Sequence, residues 1–122
     1  MGKKKTLIMG ASTKPGRYAL IATEMLDDYG HPVVLFGKKE GKVRGIEILT
    51  QLEDIPSDID TVTMYLGEGN QVDYEDFIVK LKPKRVIFNP GAENFDFENR
   101  LESEGIEPIE ACTLVLLSTG QY

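Results

Sequence analysis

The chain has 122 residues, of which 41% are hydrophobic and 28% charged, with a formal net charge of −6. This length and composition are typical of one soluble globular domain, so we expect residues 1–122 to form a single domain. The acidic balance disfavours a nucleic-acid-binding protein, which needs a basic face. No apolar stretch reaches the ~20 residues of a membrane span. The lone cysteine, Cys112, cannot form an internal disulfide, and the expected location is the cytoplasm.

Short apolar runs alternate with helical patterns from one end of the chain to the other. Four strands are predicted at residues 5–9, 33–36, 61–66 and 85–88. Residues 7–9 and 33–36 are apolar without alternation, as in strands buried on both faces of a parallel sheet, and residues 61–66 are rich in β-branched and aromatic residues. A fifth strand at 107–109 contains Pro108, which suits a sheet edge. The first helix is predicted to end at Gly30 and to pack one face on the core: Tyr18, Ala22, Met25, Leu26 and Tyr29.

Other segments are less regular. Residues 46–48 are either a small extra strand or an irregular crossover. Residues 67–70 are predicted to be a flexible loop with Asn70 as the N-cap of the next helix. Residues 112–117 are predicted to form a final buried helix. Together the pattern indicates an α/β, Rossmann-like three-layer sandwich with a mostly parallel five-stranded sheet and helices on both faces.

The first strand ends abruptly at Gly10 and is followed by small residues and a helix start. The N–H groups of a helix start have no partner inside the helix and lie at the positive end of its dipole, so they bind anions. Lys14 and Arg17 add two cations at the same point. We therefore predict that this turn binds a diphosphate. The predicted site residues are Gly10, Ala11, Ser12, Thr13, Lys14, Pro15 and Arg17. A tight turn that binds no ligand is the alternative interpretation.

The turn after the second strand indicates which nucleotide is bound. An NAD site has an acidic residue there to accept hydrogen bonds from the ribose. This chain has Phe36, Gly37 and Lys38 followed by Lys39, and cations at this point favour a phosphorylated ribose, as in NADP or coenzyme A. A plain solvated turn is the alternative interpretation. Tyr65 lies in the third strand and is expected either to stack on the ligand or to fill the core. Asn89 and Gly91 follow the fourth strand and are expected at the same edge of the sheet.

Several short motifs resemble one family in their order and spacing. The chain is similar to small stand-alone CoA-binding proteins and to the nucleotide-binding domain of the succinyl-CoA synthetase α subunit, over residues 5 to about 112. The resemblance rests on Gly10-Ala11-Ser12 with Pro15 and Arg17, Asp54-Ile55-Pro56, Asp60-Thr61-Val62, Asn89-Pro90-Gly91 and Cys112.

The resemblance implies a coenzyme A site with the diphosphate on the first turn and the adenosine near Phe36 and Gly37. Family members often carry Asn-Pro after the second strand, where this chain has Gly37-Lys38-Lys39.

The only histidine, His31, precedes the second strand at the opposite end of the sheet and is predicted to lie in a surface loop.

Three functions remain open at this stage. We favour a non-enzymatic protein that binds coenzyme A or an acyl-CoA. An NADP-dependent oxidoreductase and a thiol- or acyl-exchange enzyme that uses Cys112 are the alternatives. No cluster has metal-ligand spacing. The expected partner is a nucleotide-type small molecule, with no nucleic acid or membrane, and the sequence leaves open whether the chain forms a homodimer.

Overall fold

A computed structural model describes residues 2–122 and contains one seven-stranded sheet in the order β3-β4-β2-β1-β5-β6-β7. All neighbouring strands are parallel except β3, which is antiparallel to β4. Strand β1 is central, and its register pairs Met9 with Phe36 of β2 and with Met64 of β5. The strands are β1 (Thr6–Met9), β2 (Val33–Phe36), β3 (Lys42–Val43), β4 (Ile46–Leu49), β5 (Thr61–Met64), β6 (Arg85–Phe88) and β7 (Glu107–Glu110).

The helices cover both faces of this sheet, as predicted. They are α1 (Tyr18–Asp28), α2 (Glu68–Gln71), α3 (Glu75–Leu81), α4 (Phe95–Ser103) and α5 (Thr113–Ser118), with short 3-10 turns at Leu52–Asp54 and Val72–Tyr74. Alternate residues of β1 feed two cores, because successive side chains of a strand point to opposite faces. Leu7 and Met9 pack with α3 and α4, whereas Ile8 packs with α1 and α5.

The sheet has seven strands, and the prediction of five was wrong because a β-hairpin is inserted after β2. The segment at 46–48 is indeed a strand, β4, which pairs in parallel with β2. Its antiparallel partner β3 is joined to it through Arg44 and Gly45, both with positive φ. A two-residue hairpin turn needs this conformation, and Arg is not the residue that usually signals it.

Three predictions about helices need correction. In α1 the buried residues are Ala19, Ala22, Thr23 and Leu26, whereas Tyr18 and Tyr29 are 69% and 42% exposed. Helix α2 begins at Glu68 with Gly67 as its N-cap, so Asn70 lies inside the helix and does not cap one. Helix α5 is amphipathic, with Val115 exposed and Leu117 buried. Helices α1 and α5 thus present narrower apolar faces than their sequences suggested.

His31 is also buried, at 9% exposure, and the prediction of a surface loop was wrong. Its Nδ1 accepts a hydrogen bond from the Lys4 N–H at 2.9 Å. Its ring lies 4.8 Å from that of Tyr122. Burial lowers the pKa of His31, the charges of Lys3, Lys4 and Arg85 lower it further, and Asp60 opposes them. The neutral ring is therefore part of the packing at the amino end of the sheet.

We expect this histidine to make the protein less stable as the pH falls. The unfolded chain takes up the proton near the ordinary pKa of 6.5, before the folded protein does. Stability is therefore lost as the pH falls from above 6.5 through the lowered pKa of the folded state. Denaturant unfolding between pH 8 and 5 measures this effect, with His31→Gln as the non-titrating reference.

Carboxylates titrate in both proteins, so the difference between parent and variant isolates the only histidine in the chain. A difference in the free energy of unfolding that stays constant across this pH range would contradict the prediction.

Candidate functional site

A cavity of about 600 Å³ opens at the carboxyl end of the sheet, where the turns after β1, β2 and β5 meet. The structure brings most of the predicted site residues together in its lining: Gly10, Ala11, Ser12, Thr13, Lys14, Arg17, Phe36, Gly37, Lys38 and Tyr65. Ligands of open parallel sheets bind at this edge. The cavity therefore lies where the alternation of strands and helices predicted a site.

The turn after β1 is held directly against the end of β2. The N–H groups of Gly10 and Ala11 both donate to the Phe36 carbonyl, each at 2.9 Å. Gly37 comes so close that a Cβ there would lie 2.8 Å from the Ala11 carbonyl oxygen. Gly10 itself has a φ of +99°, which favours glycine. Because two N–H groups are already bonded, the donors left for an anion begin at Ser12.

Of the donors that follow, the Lys14 N–H donates to Ser12 Oγ at 3.0 Å and the Arg17 N–H to the Lys14 carbonyl at 3.3 Å, whereas several others have no partner within residues 2–122. The N–H groups of Ser12, Thr13 and Gly16 make no backbone or side-chain hydrogen bond, and those of Tyr18 and Ala19 lie in the first turn of α1, where a helix supplies no acceptor. The turn thus presents a row of backbone donors beside a cavity. This is the arrangement that binds phosphate groups at helix starts.

The start of α1 also lacks a negative charge or a capping side chain to balance the positive end of its dipole. Its N-cap is Arg17, which makes no side-chain capping bond, and its first turn contains no acidic residue. Lys14, Lys38 and Lys39 add exposed cations to the same cavity lining. Within the described chain none of these four side chains forms an ion pair. Cations at the positive end of a helix dipole are unfavourable unless an anion compensates them.

Helix α4 shows what a complete helix start looks like in the same molecule. The Asn94 side chain accepts a hydrogen bond from the Phe97 N–H at 3.1 Å, and Glu98 accepts one from the Asn94 N–H. Asn94 is thus the N-cap of α4. Glu93 instead accepts from the Gly91 N–H at 2.9 Å. The first turn of α4 is thus satisfied by its own side chains, as that of α1 is not.

Tyr65 lines the cavity, and its hydroxyl oxygen is buried. Burial raises the pKa of Tyr65 to about 12, and the nearby Thr113 and Thr63 hydroxyls oppose part of that rise. Those two hydroxyls bond to each other at 2.8 Å, and no partner bonds to the phenol. The phenol is therefore neutral near pH 7 and does not supply a base.

Three predicted residues, Pro15, Asn89 and Gly91, lie outside the cavity lining. Asn89 is 2% exposed, and its amide donates to Thr63 and to the Met64 carbonyl. Its Oδ1 accepts from the Thr113 N–H at 2.8 Å, so Asn89 ties β5 and β6 to the start of α5. Cys112 is the half-buried N-cap of α5 and also lies outside the lining.

The cavity also contains residues that sequence reasoning missed. They include Gly16, Tyr18, Glu40, Leu66, Tyr74 and Pro90. Tyr18 is predicted to lie on an apolar helix face, because an aromatic residue in a helical pattern usually packs on the core. Pro90 lies between the predicted residues Asn89 and Gly91, so including the whole turn in the prediction would have found it.

Two absences apply to residues 2–122. The structure has no group of three or more His, Cys, Asp or Glu side chains placed to hold a metal ion. None of its helices combines the length and apolar character that a bilayer crossing requires.

We expect Gly37→Ala to destabilise the protein by about 1–3 kcal/mol, because the new methyl group meets a backbone oxygen that cannot rotate away. Gly69→Ala is the matched control, since a Cβ there meets nothing within 4 Å. Denaturant unfolding compares the two variants with the parent. Equal free energies of unfolding for Gly37→Ala and Gly69→Ala would contradict the close contact.

Comparisons with known proteins agree with this geometry. Residues 4–118 match the model of a family described as a CoA binding domain. The chain is similar to the crystal structure of an uncharacterized protein, with a TM-score of 0.94, 45% identity and 100% of both chains covered. A hypothetical protein from Pyrococcus horikoshii OT3 has a TM-score of 0.85 and 25% identity, over 96% of this chain and 82% of that one.

A Thermus thermophilus protein has a TM-score of 0.87 at 21% identity, over 98% of this chain and 91% of that one, which shows a shared fold. A comparison with curated proteins gives no match.

Proposed function

Because the chain belongs to the CoA-binding domain family, we propose that it binds coenzyme A or an acyl-CoA without catalysing a reaction on it, and that the first βα turn holds the diphosphate. The observation that carries this proposal is the start of α1, where unused N–H groups, an uncapped first turn and the Lys14 and Arg17 side chains converge. A diphosphate supplies both the missing acceptors and the missing negative charge.

The cavity lining suits each part of the ligand. The backbone N–H groups of Ser12 and Thr13 would bind the diphosphate together with Lys14 and Arg17. The adenosine would lie against Phe36 and Gly37, with Lys38 and Lys39 facing its 3′-phosphate. The pantetheine would then extend toward Tyr65. The close approach at Gly37 supports this path, because it keeps the floor of the cavity free of side-chain atoms.

The residues that line the cavity support a binding protein that catalyses no reaction on its ligand. The Tyr65 phenol is held neutral by its raised pKa. Cys112, the nucleophile that an exchange enzyme would use, lies outside the cavity lining. Catalysis needs an acid, a base or a nucleophile within reach of the ligand, and the lining is richer in binding groups than in such residues.

An NADP-binding protein is the second candidate, because Lys38 and Lys39 would suit a 2′-phosphate as well as a 3′-phosphate. We expect calorimetric titration to show saturable binding of CoA, with NADPH at least tenfold weaker. NADH, which lacks the extra phosphate, controls for the two lysines. Tighter binding of NADPH than of CoA would favour the second candidate, and binding of none of them would overturn both.

We expect Arg17→Ala to weaken CoA binding by about 1.5–3 kcal/mol, because the variant loses a charge-assisted contact to the diphosphate. The same change should leave the ligand-free protein as stable or more stable by ~0.3–1 kcal/mol, because a cation leaves the positive end of α1. Titration and thermal unfolding measure the two effects.

Lys80→Ala is the matched control, since it removes an exposed cation of α3 that does not line the cavity. Unchanged CoA affinity in a folded Arg17→Ala protein would remove Arg17 from the site.

A further inference from the structure

Tyr18 combines two properties that no other large exposed apolar residue of the described chain shares. It is 69% exposed, and it lines the cavity. Tyr29, Val72, Phe95 and Val115 are exposed as well, but none of them lines it. The Tyr18 hydroxyl makes no hydrogen bond within residues 2–122. The side chain is therefore held neither by the core nor by a polar partner.

The position of Tyr18 in α1 explains why it reaches the cavity. The neighbouring Ala19 points into the core and is 5% exposed. One residue along a helix turns the side chain by about 100°, so Tyr18 stands beside the core-facing stripe at the mouth of the cavity. Helix α1 packs over β2 and β3, on the half of the sheet where we place the adenosine.

The opposite wall of the cavity already contains an aromatic pair that is fixed by packing. Tyr74, from the other face of the sheet, meets Phe36 edge-on with their ring centroids 5.3 Å apart. Both residues line the cavity. The cavity is therefore lined by one packed aromatic pair and by one exposed aromatic ring, that of Tyr18. Planar bases stack on such rings whatever their hydrogen-bonding edges, because every base has a π-face.

We propose that Tyr18 is a positioning residue that closes over the bound nucleotide and stacks its ring on the adenine base. This inference rests on the proposed function and adds a specific contact to it. It also accounts for an exposed aromatic ring at the entrance of a cavity that binds a nucleotide. The hydroxyl is not required, so the ring alone carries the interaction.

The test compares Tyr18→Ala, Tyr18→Phe and Tyr29→Ala by calorimetric titration. Tyr29→Ala is the matched control, because it removes an exposed tyrosine from the other end of the same helix. The ligands are CoA, adenosine 3′,5′-bisphosphate, which lacks the pantetheine, and pantetheine, which lacks the base. All four proteins should unfold at similar temperatures without ligand.

We expect Tyr18→Ala to weaken binding of CoA and of adenosine 3′,5′-bisphosphate by about 5- to 100-fold, as for loss of one stacked ring. Tyr18→Phe and Tyr29→Ala should stay within about twofold of the parent, since the first keeps the ring and the second lies outside the cavity. The chain has no tryptophan and five tyrosines, so tyrosine fluorescence gives a second readout. Saturating ligand should change it clearly less in Tyr18→Ala than in the parent and in Tyr29→Ala, where the remaining change comes from Tyr65 and Tyr74 of the cavity lining.

The remaining outcomes separate the inference from the proposed function. If the parent binds CoA and Tyr18→Ala binds it equally well, the stacking inference is wrong and the function stands. If Tyr18→Ala loses affinity for CoA but not for adenosine 3′,5′-bisphosphate, the ring contacts the pantetheine and the inference is again wrong. If the parent binds none of the three ligands, both are overturned.

Discussion

The candidate site depends on one carbonyl group. The Phe36 oxygen at the end of β2 accepts hydrogen bonds from two successive N–H groups of the turn after β1, those of Gly10 and Ala11. This bifurcated contact brings two loops together that are distant in sequence, and Gly37 allows it because there is no room for a side chain. Once the turn is tied down in this way, its next N–H groups face the cavity and α1 starts beside them. The row of N–H groups at the start of α1 thus depends on how β1 and β2 end.

Charge is distributed so that the cavity mouth differs from the rest of the surface. Several cations elsewhere are neutralised locally, as in the pairs Lys5–Asp58 at 2.8 Å and Arg100–Asp76 at 2.8 Å. The cations that line the cavity have no such partners within the described chain. A protein with a net charge of −6 therefore carries a locally basic entrance. Such a local field attracts a polyanionic ligand while the acidic remainder repels it, which favours approach in one orientation.

The sequence predicted the parts of the fold that depend on continuous patterns. Runs such as Leu7-Ile8-Met9 are apolar throughout because both sheet faces are covered, and they identified the central strands and the edge that carries the site. The hairpin was missed because Arg44 precedes Gly45 at a position where Asn, Asp or Gly usually signals such a turn. Arg44 instead pairs with carboxylates of α1, including that of Asp28 at 2.6 Å.

Side-chain burial was harder to predict than strand position. Tyr18 fits a helical apolar pattern, yet its place at the first residue of α1 turns it toward the cavity. His31 has a polar neighbourhood in sequence, yet its contacts with Lys4 and Tyr122 come from segments at the two ends of the chain. Of the predicted site, the glycine turns followed from local chemistry. The structural role of Asn89 did not, because it depends on where α5 packs.

The two edge strands of the sheet, β3 and β7, limit how copies of this protein can associate. At one border of the sheet β3 contains only two residues and runs against the direction of the other strands. At the opposite border β7 carries Pro108, which offers no N–H, between the exposed carboxylates of Glu107 and Glu110. A short strand, a proline and repelling charges are the devices by which proteins prevent uncontrolled edge-to-edge pairing. Self-association of this chain by growth of its sheet is thus opposed at both borders, which leaves its helical layers and loops as the surfaces for specific contacts.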